Sequence, residues 1–291
     1  KSPTLRETSA IARAMRENYV RLNPHVSEPL MDTCGTGGGL STFNISTATA
    51  IVAAAAGIPV AKHGSRSISS LSGSADVLEA LGVNIDLSPE AACRMIEDIG
   101  IAFLYAPLFH PVMCKVLPPE TELGIKTIFY TIIGPLINPA FASRHILGDY
   151  KPELLDTVTS VARDLGYTDA LFVHGLDGLD EISVSDKTSI CELKDGELKC
   201  YEIAPEDFGM ERCSKEDLVG GNPRENAEIT LSILNGQKGP KRNAVVLNSA
   251  AALYVAGKAD SIADGVRLAS EIIDSGRAKK QLEKFIEYTN S

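Results

Sequence analysis

Asp32–Ala50 reads DTCGTGGGLSTFNISTATA, with four glycines in the five positions from Gly35 to Gly39, then a crowd of hydroxyls and an alanine-rich run. The residues before it, EPLMDTC, form a short apolar strand, and Ser46 or Thr47 can cap a helix that Gly57 stops. The glycines therefore sit at a strand-to-helix joint. A nucleotide loop, a phosphate cradle of another kind and a tight turn are the three uses of such a joint. A P-loop starting at Gly35 requires Gly and Lys where Leu40 and Ser41 stand, and a dinucleotide fingerprint from the same start also needs glycine at Leu40. Both fail. What stays is general: glycines let the backbone curl and point N–H groups at an anion, and the positive end of the next helix adds attraction.

The flanking chain places that joint in an α/β fold. Strands are expected at IPVAKHG, IAFLYAP, DALFVHG and NAVVLNS, and helices at Ser74–Gly82, LLDTVTSVARDL, PRENAEITLSILN and SIADGVRLASEII. Short apolar strands alternating with helices imply a largely parallel sheet. TSICELKDGELKCYEI alternates around Asp195-Gly196 and reads as a hairpin. At the start, Thr4 and Glu7 form a capping box, and Ile11, Met15, Tyr19 and Leu22 share one face of a helix drawn from Thr4 to Arg21. The proline-rich stretch from Pro118 to Pro139 fits no pattern.

Composition narrows the function. A chain of 291 residues with 44% apolar content fills a sizeable core, and the longest apolar candidate, ATAIVAAAAGIPVA, is too short for a membrane span. The opening residues lack a Met and a signal-peptide layout and read as a trimmed N-terminus. Six cysteines without a C-x-x-C pair argue against zinc and a dense disulfide scaffold, so a reducing, cytoplasmic setting is expected. A net charge of −10 disfavours gripping nucleic acid, which draws on clustered Lys and Arg. A small anion stays open, because local amides and a few cations decide its binding.

Two further stretches point to such a ligand. KHGSRS puts Lys62 and Arg66 at the end of the strand after the glycine loop, and SSLSGS adds hydroxyls before the following helix. In an open parallel sheet, ligands lie beyond the carboxyl ends of neighbouring strands, so these segments converge on a site for phosphates and ribose hydroxyls. VHGLDGLDEIS then sets Asp180 beside Glu181 in the loop beyond a strand. Adjacent carboxylates repel, and Mg²⁺ between them and phosphate oxygens makes the pair tolerable. A surface charge for Lys62 or Arg66, a structural role for His63 and an exposed acidic turn are the bland counterparts.

In order along the chain, GTGG, TFNIST, KHGSRSISSLSGSADVLEALG, LGIKTIF, GPLINPA and DGLDEIS resemble the anthranilate phosphoribosyltransferase family. The resemblance implies a large α/β domain with a mostly parallel mixed sheet, covering residues 25–116 and 139–291. It also implies a small all-helical domain made of residues 1–24 and 117–138, and a homodimer. The implied reaction is transfer of phosphoribose from 5-phosphoribosyl 1-diphosphate (PRPP) to anthranilate in tryptophan synthesis. PRPP contacts fall on Gly35, Gly38, Gly39, Thr42, Asn44, Ile45, Ser46, Thr47, Lys62, the run His63, Gly64, Ser65, Arg66, Ser67, Ile68, Ser69 and Ser70, and Ser74. Ser46, Asp180 and Glu181 would serve Mg²⁺, Lys62 and His63 the chemistry, and Gly35, Ser65 and Glu120 the acceptor.

Four departures bear mostly on the acceptor. An Asp expected after GTGG is absent, so Gly39 follows directly; Ser65 replaces Asn; Glu120 stands where an Arg faces the anthranilate carboxylate; Tyr130 replaces Asn in a segment one residue longer. Glu120 would repel the anthranilate carboxylate unless it points away and another cation, Lys115, Lys126 or Arg66, takes over. Rival readings are another aromatic or heterocyclic amine acceptor, a pyrimidine nucleoside phosphorylase, which usually shows KHSTGG at this point, and a nucleic-acid-binding relative. The acidic balance opposes the last.

Overall fold

In the computed structural model, residues 3–37, 41–67, 70–123, 127–149 and 151–291 are described, without the side chains of Cys114, Leu117, Glu120 and Thr121. The chain runs α1 (Leu5–Arg16), β1 (Met31–Gly35), α2 (Ile45–Ala55), β2 (Val60–Gly64), α3 (Ser74–Ala80), α4 (Pro89–Ile99) and β3 (Ile101–Tyr105). A helical excursion follows: α5 (Ala106–Phe109), α6 (Met113–Leu123), a π-helical turn (Phe129–Ile133) and the single turn α7 (Gly134–Leu136). The chain then returns through β4 (Arg144–Gly148), α8 (Leu155–Asp164), β5 (Asp169–Gly175), β6 (Thr188–Lys194) and β7 (Glu197–Ile203) to α9 (Pro223–Leu234), α10 (Pro240–Val255), α11 (Ile262–Asp274) and α12 (Arg277–Thr289).

Among the described residues the strands form one seven-stranded sheet, ordered β3-β2-β1-β4-β5-β6-β7. The strands from β3 to β5 are parallel, and the β6–β7 hairpin closes one edge antiparallel. The hairpin turns at Asp195 and Gly196, both at positive φ, as a two-residue turn of this kind requires. β1 lies between β2 and β4, so the connection reverses direction there; the crevice beyond the carboxyl ends of such neighbours is where α/β sheets bind ligands. One buried cluster gathers α2, α10, α11 and α12 against the sheet, and a second packs α8, the π turn and Ala12 and Met15 of α1 on the other side.

Two expectations need correction, and one strand went unread. NAVVLNS is the middle of helix α10, not a strand: Gly239 and Pro240 start the helix, and it is buried nearly all round, so its apolar run carries no helical period to read. The first helix ends at Arg16. Beyond it, the amides of Val20 and Leu22 bond to the carbonyls of Phe109 and Pro139 in place of further helix. Arg144–Gly148, unassigned from sequence, is the central strand β4. The described residues also hold a Cys191–Cys200 disulfide, whose partners come opposite only once the hairpin forms. No helix among the described residues is long and apolar enough to cross a membrane.

Candidate functional site

A cavity of about 280 Å³ lies beyond the ends of β1 and β2, closed on one side by the turn after β5. Gly35, Thr42, Asn44, Ile45, Ser46, Thr47, Lys62, His63, Gly64, Ser65, Arg66, Ser67, Ser70, Ser74, Asp180 and Glu181 all line it. Gly38, Gly39, Ile68, Ser69 and Lys126 lie outside the described residues, as does the side chain of Glu120.

The glycine loop and the acidic pair touch directly. The Gly37 amide donates to Asp180 Oδ2 at 2.7 Å, and the Ser46 amide, in the first turn of α2, donates to Glu181 Oε1 at 3.1 Å. The expected cap at Ser46 or Thr47 is thus replaced by a start at Ile45. Asn44 sits at the N-cap but gives its side chain elsewhere, donating to the Ser72 carbonyl at 3.1 Å. Glycine is required for this closeness: a Cβ on Gly35 would fall 2.3 Å from Asp180 Oδ2, and one on Gly148 only 1.7 Å from the Asp180 carbonyl oxygen.

Burial, and next the charge of Asp180, push Glu181 up to about 8. Two carboxylates pressed together and partly desolvated are a site short of positive charge, and hard oxygen donors of this kind suit Mg²⁺. The buried hydroxyls of Thr36 and Thr47, on residues lining the cavity, have no partner among the described residues, which fits groups reserved for a ligand.

The cations are less available than the sequence implied. Lys62 is buried and its ammonium donates to the Thr33 carbonyl at 2.5 Å and to Ser46 Oγ at 3.4 Å; burial lowers its pKa against the opposing pull of Asp32, Cys34 and Glu181. Arg66 donates to Glu79 through both terminal nitrogens and to Asp76 at 3.1 Å, and lies over the Tyr105 ring. His63 turns its ring onto His110, Nε2 to Nε2 at 2.9 Å. Burial, then the neighbouring His110, hold His63 well below the usual histidine range, and burial brings His110 to about 4, so both are neutral near pH 7.

Several supporting residues escaped the sequence reading. Asp32 accepts from the His63 amide and from Asn138 Nδ2, which ties β1 to β2 and to the end of the helical excursion. Asn226, buried in α9, donates to Asn44 Oδ1 at 2.9 Å. Asn248, buried in α10, accepts from the Ile182 amide and donates to its carbonyl, pinning the chain beside Glu181. The signal available in the sequence was an amide inside an apolar helical run. Tyr130 also lines the cavity.

The chain is similar to known proteins over most of its length. A family model described as "Glycosyl transferase family, a/b domain" matches residues 27–279. The anthranilate phosphoribosyltransferase of Methanobrevibacter smithii is 66% identical, covering 100% of this chain and 86% of its own; that of Acetivibrio thermocellus is 52% identical, covering 100% and 84%. Among solved structures, the Thermus thermophilus enzyme superposes with a TM-score of 0.92 at 43% identity over 99% of this chain and 85% of its own. The Saccharomyces cerevisiae enzyme in complex with PRPP and Mg gives 0.90 at 29% identity, covering 99% and 80%.

Proposed function

Since the chain belongs to the anthranilate phosphoribosyltransferase family, we propose that the cavity at the ends of β1 and β2 is where its reaction takes place. The activity is Mg²⁺-dependent transfer of phosphoribose from PRPP to anthranilate, with release of diphosphate, in tryptophan biosynthesis. The roles of the individual residues, assembly as a homodimer and a cytoplasmic location are part of the proposal.

The observation that carries the residue assignment is the contact of the two motifs, Gly37 with Asp180 and Ser46 with Glu181, across one cavity. Ser46, Asp180 and Glu181 would hold Mg²⁺, which when bound neutralises charge on the diphosphate. The displacement at the anomeric carbon leaves negative charge on the departing diphosphate. Hydroxyls fixed before the reaction stabilise that charge more than the ground state. The hydroxyls of Thr36, Thr42, Thr47, Ser67, Ser70 and Ser74 form the donor side, and the Gly37 and Ser46 amides seat the acidic pair behind it. Lys62 acts from behind, through the carbonyl of Thr33 and the hydroxyl of Ser46, as a positioning cation. Anthranilate is a neutral amine near pH 7 and needs placement more than activation. His63 is neutral, but its ring is turned onto His110, so its part is to hold the end of β2 rather than to take the amine proton.

Replacing Asp180 with Asn and Glu181 with Gln tests this assignment. Diphosphate release from PRPP and anthranilate should fall by about two orders of magnitude or more, with partial recovery at raised Mg²⁺; wild-type rates and Mg²⁺ dependence would remove the pair from the site.

A further inference from the structure

The described residues that line the cavity come, with one exception, from strand ends and loops of the sheet: the glycine loop, the start of α2, the end of β2 with the loop after it, and the acidic turn. The exception is Tyr130, the only one contributed by the helical excursion. The other two rings in the lining, Phe43 and His63, are buried, whereas Tyr130 is half-exposed. The sheet side of the cavity is thus mostly amides, hydroxyls and charges, with Cys34, Phe43 and Ile45 among them. The helical excursion adds a phenol.

The local backbone explains how that ring reaches the cavity. The amides of Tyr130 and Thr131 both donate to the Thr127 carbonyl, and the Gly134 amide reaches back five residues to the Phe129 carbonyl. A turn closed over five residues holds one residue more than an α-helical turn and reorients the side chains on it, which is why such turns gather at functional sites. The extra residue noted from the resemblance falls in this turn. The Tyr130 hydroxyl lies 3.8 Å from where a Cβ on Gly37 would be, so the ring stands against the glycine loop.

We propose that Tyr130 selects the acceptor: its ring is the aromatic wall against which the aromatic amine lies, beside the polar cradle that holds the phosphorylated sugar. This rests on the function proposed above. A sugar diphosphate has its best partners on the polar side, while a flat aromatic acid lacks a matching surface there. Aromatic rings meeting face to face or edge to face add to simple burial.

The test compares Tyr130→Phe, Tyr130→Leu and Tyr130→Asn with the native chain, following diphosphate release at saturating Mg²⁺. Tyr130→Leu and Tyr130→Asn should raise KM for anthranilate roughly five- to tenfold, leave KM for PRPP within about twofold, and leave binding of PRPP with Mg²⁺ by calorimetry unchanged. Tyr130→Phe keeps the ring and should restore the native KM for anthranilate. An anthranilate KM unmoved in Tyr130→Leu, or a PRPP KM that rises in parallel, overturns the inference while the proposed function stands. If the native chain turns over another aromatic amine but not anthranilate, the proposed acceptor fails; the inference then stands only if that amine's KM moves in the same variants, and falls otherwise.

Discussion

Gly148→Ala is a sharp test of how the acidic turn is seated. Gly148 pairs with Gly35 on one side and Val173 on the other, and its φ is not in the left-handed region, so alanine suits the backbone itself. The new methyl would nevertheless lie 1.7 Å from the Asp180 carbonyl oxygen, 2.2 Å from its carbonyl carbon and 3.0 Å from the Glu181 amide nitrogen. All three are main-chain atoms, so no side-chain rotation relieves the clash. Ordinary contact begins near 3.4 Å, so the turn must retreat by about 1.7 Å. That shift breaks the 2.7 Å bond from Gly37 and the 3.1 Å bond from Ser46, which seat both carboxylates. Misplacement on the order of 1 Å can lower a rate a hundredfold, so kcat/KM should fall by at least about 10²-fold, with a loss of about 1–3 kcal/mol in folding stability from overpacking. Diphosphate release titrated with Mg²⁺, beside a thermal melt, reads both quantities. A variant with native kcat/KM and native Tm would refute the seating of Asp180 against Gly148, and with it the close approach on which the site is built.

Other consequences follow from the same structure. Because burial and Asp180 raise Glu181 to about 8, the metal-free protein holds a proton there that Mg²⁺ must displace. Apparent Mg²⁺ affinity should fall as the pH drops below about 8, and calorimetry in buffers of different ionisation heat should detect proton release on Mg²⁺ binding at pH 7. The stability sign agrees: a raised folded pKa lends stability at low pH that is lost as the pH rises through about 8, and Mg²⁺ should remove that loss. Asn248→Ala leaves the Ile182 amide and carbonyl without their side-chain partner and should lower stability by about 1–3 kcal/mol, read by urea unfolding, with weaker Mg²⁺ dependence of the rate. Burial raises Asp149 to about 6 and its Oδ2 has no partner among the described residues, so the native chain should lose stability between about pH 4 and pH 6.5. Asp149→Asn should abolish that loss and gain about 1–3 kcal/mol at pH 7.5, measured by melts across pH.

The convergence of the glycine, hydroxyl and acidic motifs on one cavity was legible because its information is local. Glycines, hydroxyls and paired acids act largely through main-chain groups, and each motif lies at a strand end where sheet topology alone decides which motifs meet. The hairpin was legible for the same reason, since Asp195-Gly196 states its own turn. NAVVLNS misled because burial on every side removes the helical period, leaving only the Gly239-Pro240 start as a signal. Asp32, Asn138, Asn226 and Asn248 were missed because each is a single polar residue whose partner is distant in sequence: 106 residues separate Asp32 from Asn138, and 182 separate Asn44 from Asn226. For Asp32, Asn138 and Asn226 nothing in a short window distinguishes the group from a surface one, and for Asn248 the one hint is its place in an apolar run.

The distribution of charge explains why the loop needs so little side chain. PRPP is strongly anionic, yet Lys62 spends its donors on Thr33 and Ser46, and Arg66 is held by Asp76 and Glu79. No side-chain cation in the described lining is therefore without an acceptor before ligand arrives. An anion entering there meets hydroxyls, among them those of Thr36 and Thr47, which have no partner among the described residues, and, on the function proposed above, the metal that the acidic pair would hold. Groups fixed by the fold need no reorganisation as charge moves onto the leaving group, whereas a mobile lysine must be ordered each time. A metal bound there would also make the carboxylates compatible with a phosphate ligand, since Asp180 and Glu181 alone would repel it. Glycine and acid are in this sense one device: the first permits the second to come within hydrogen-bonding distance of the loop, and the second recruits the charge that the first lacks.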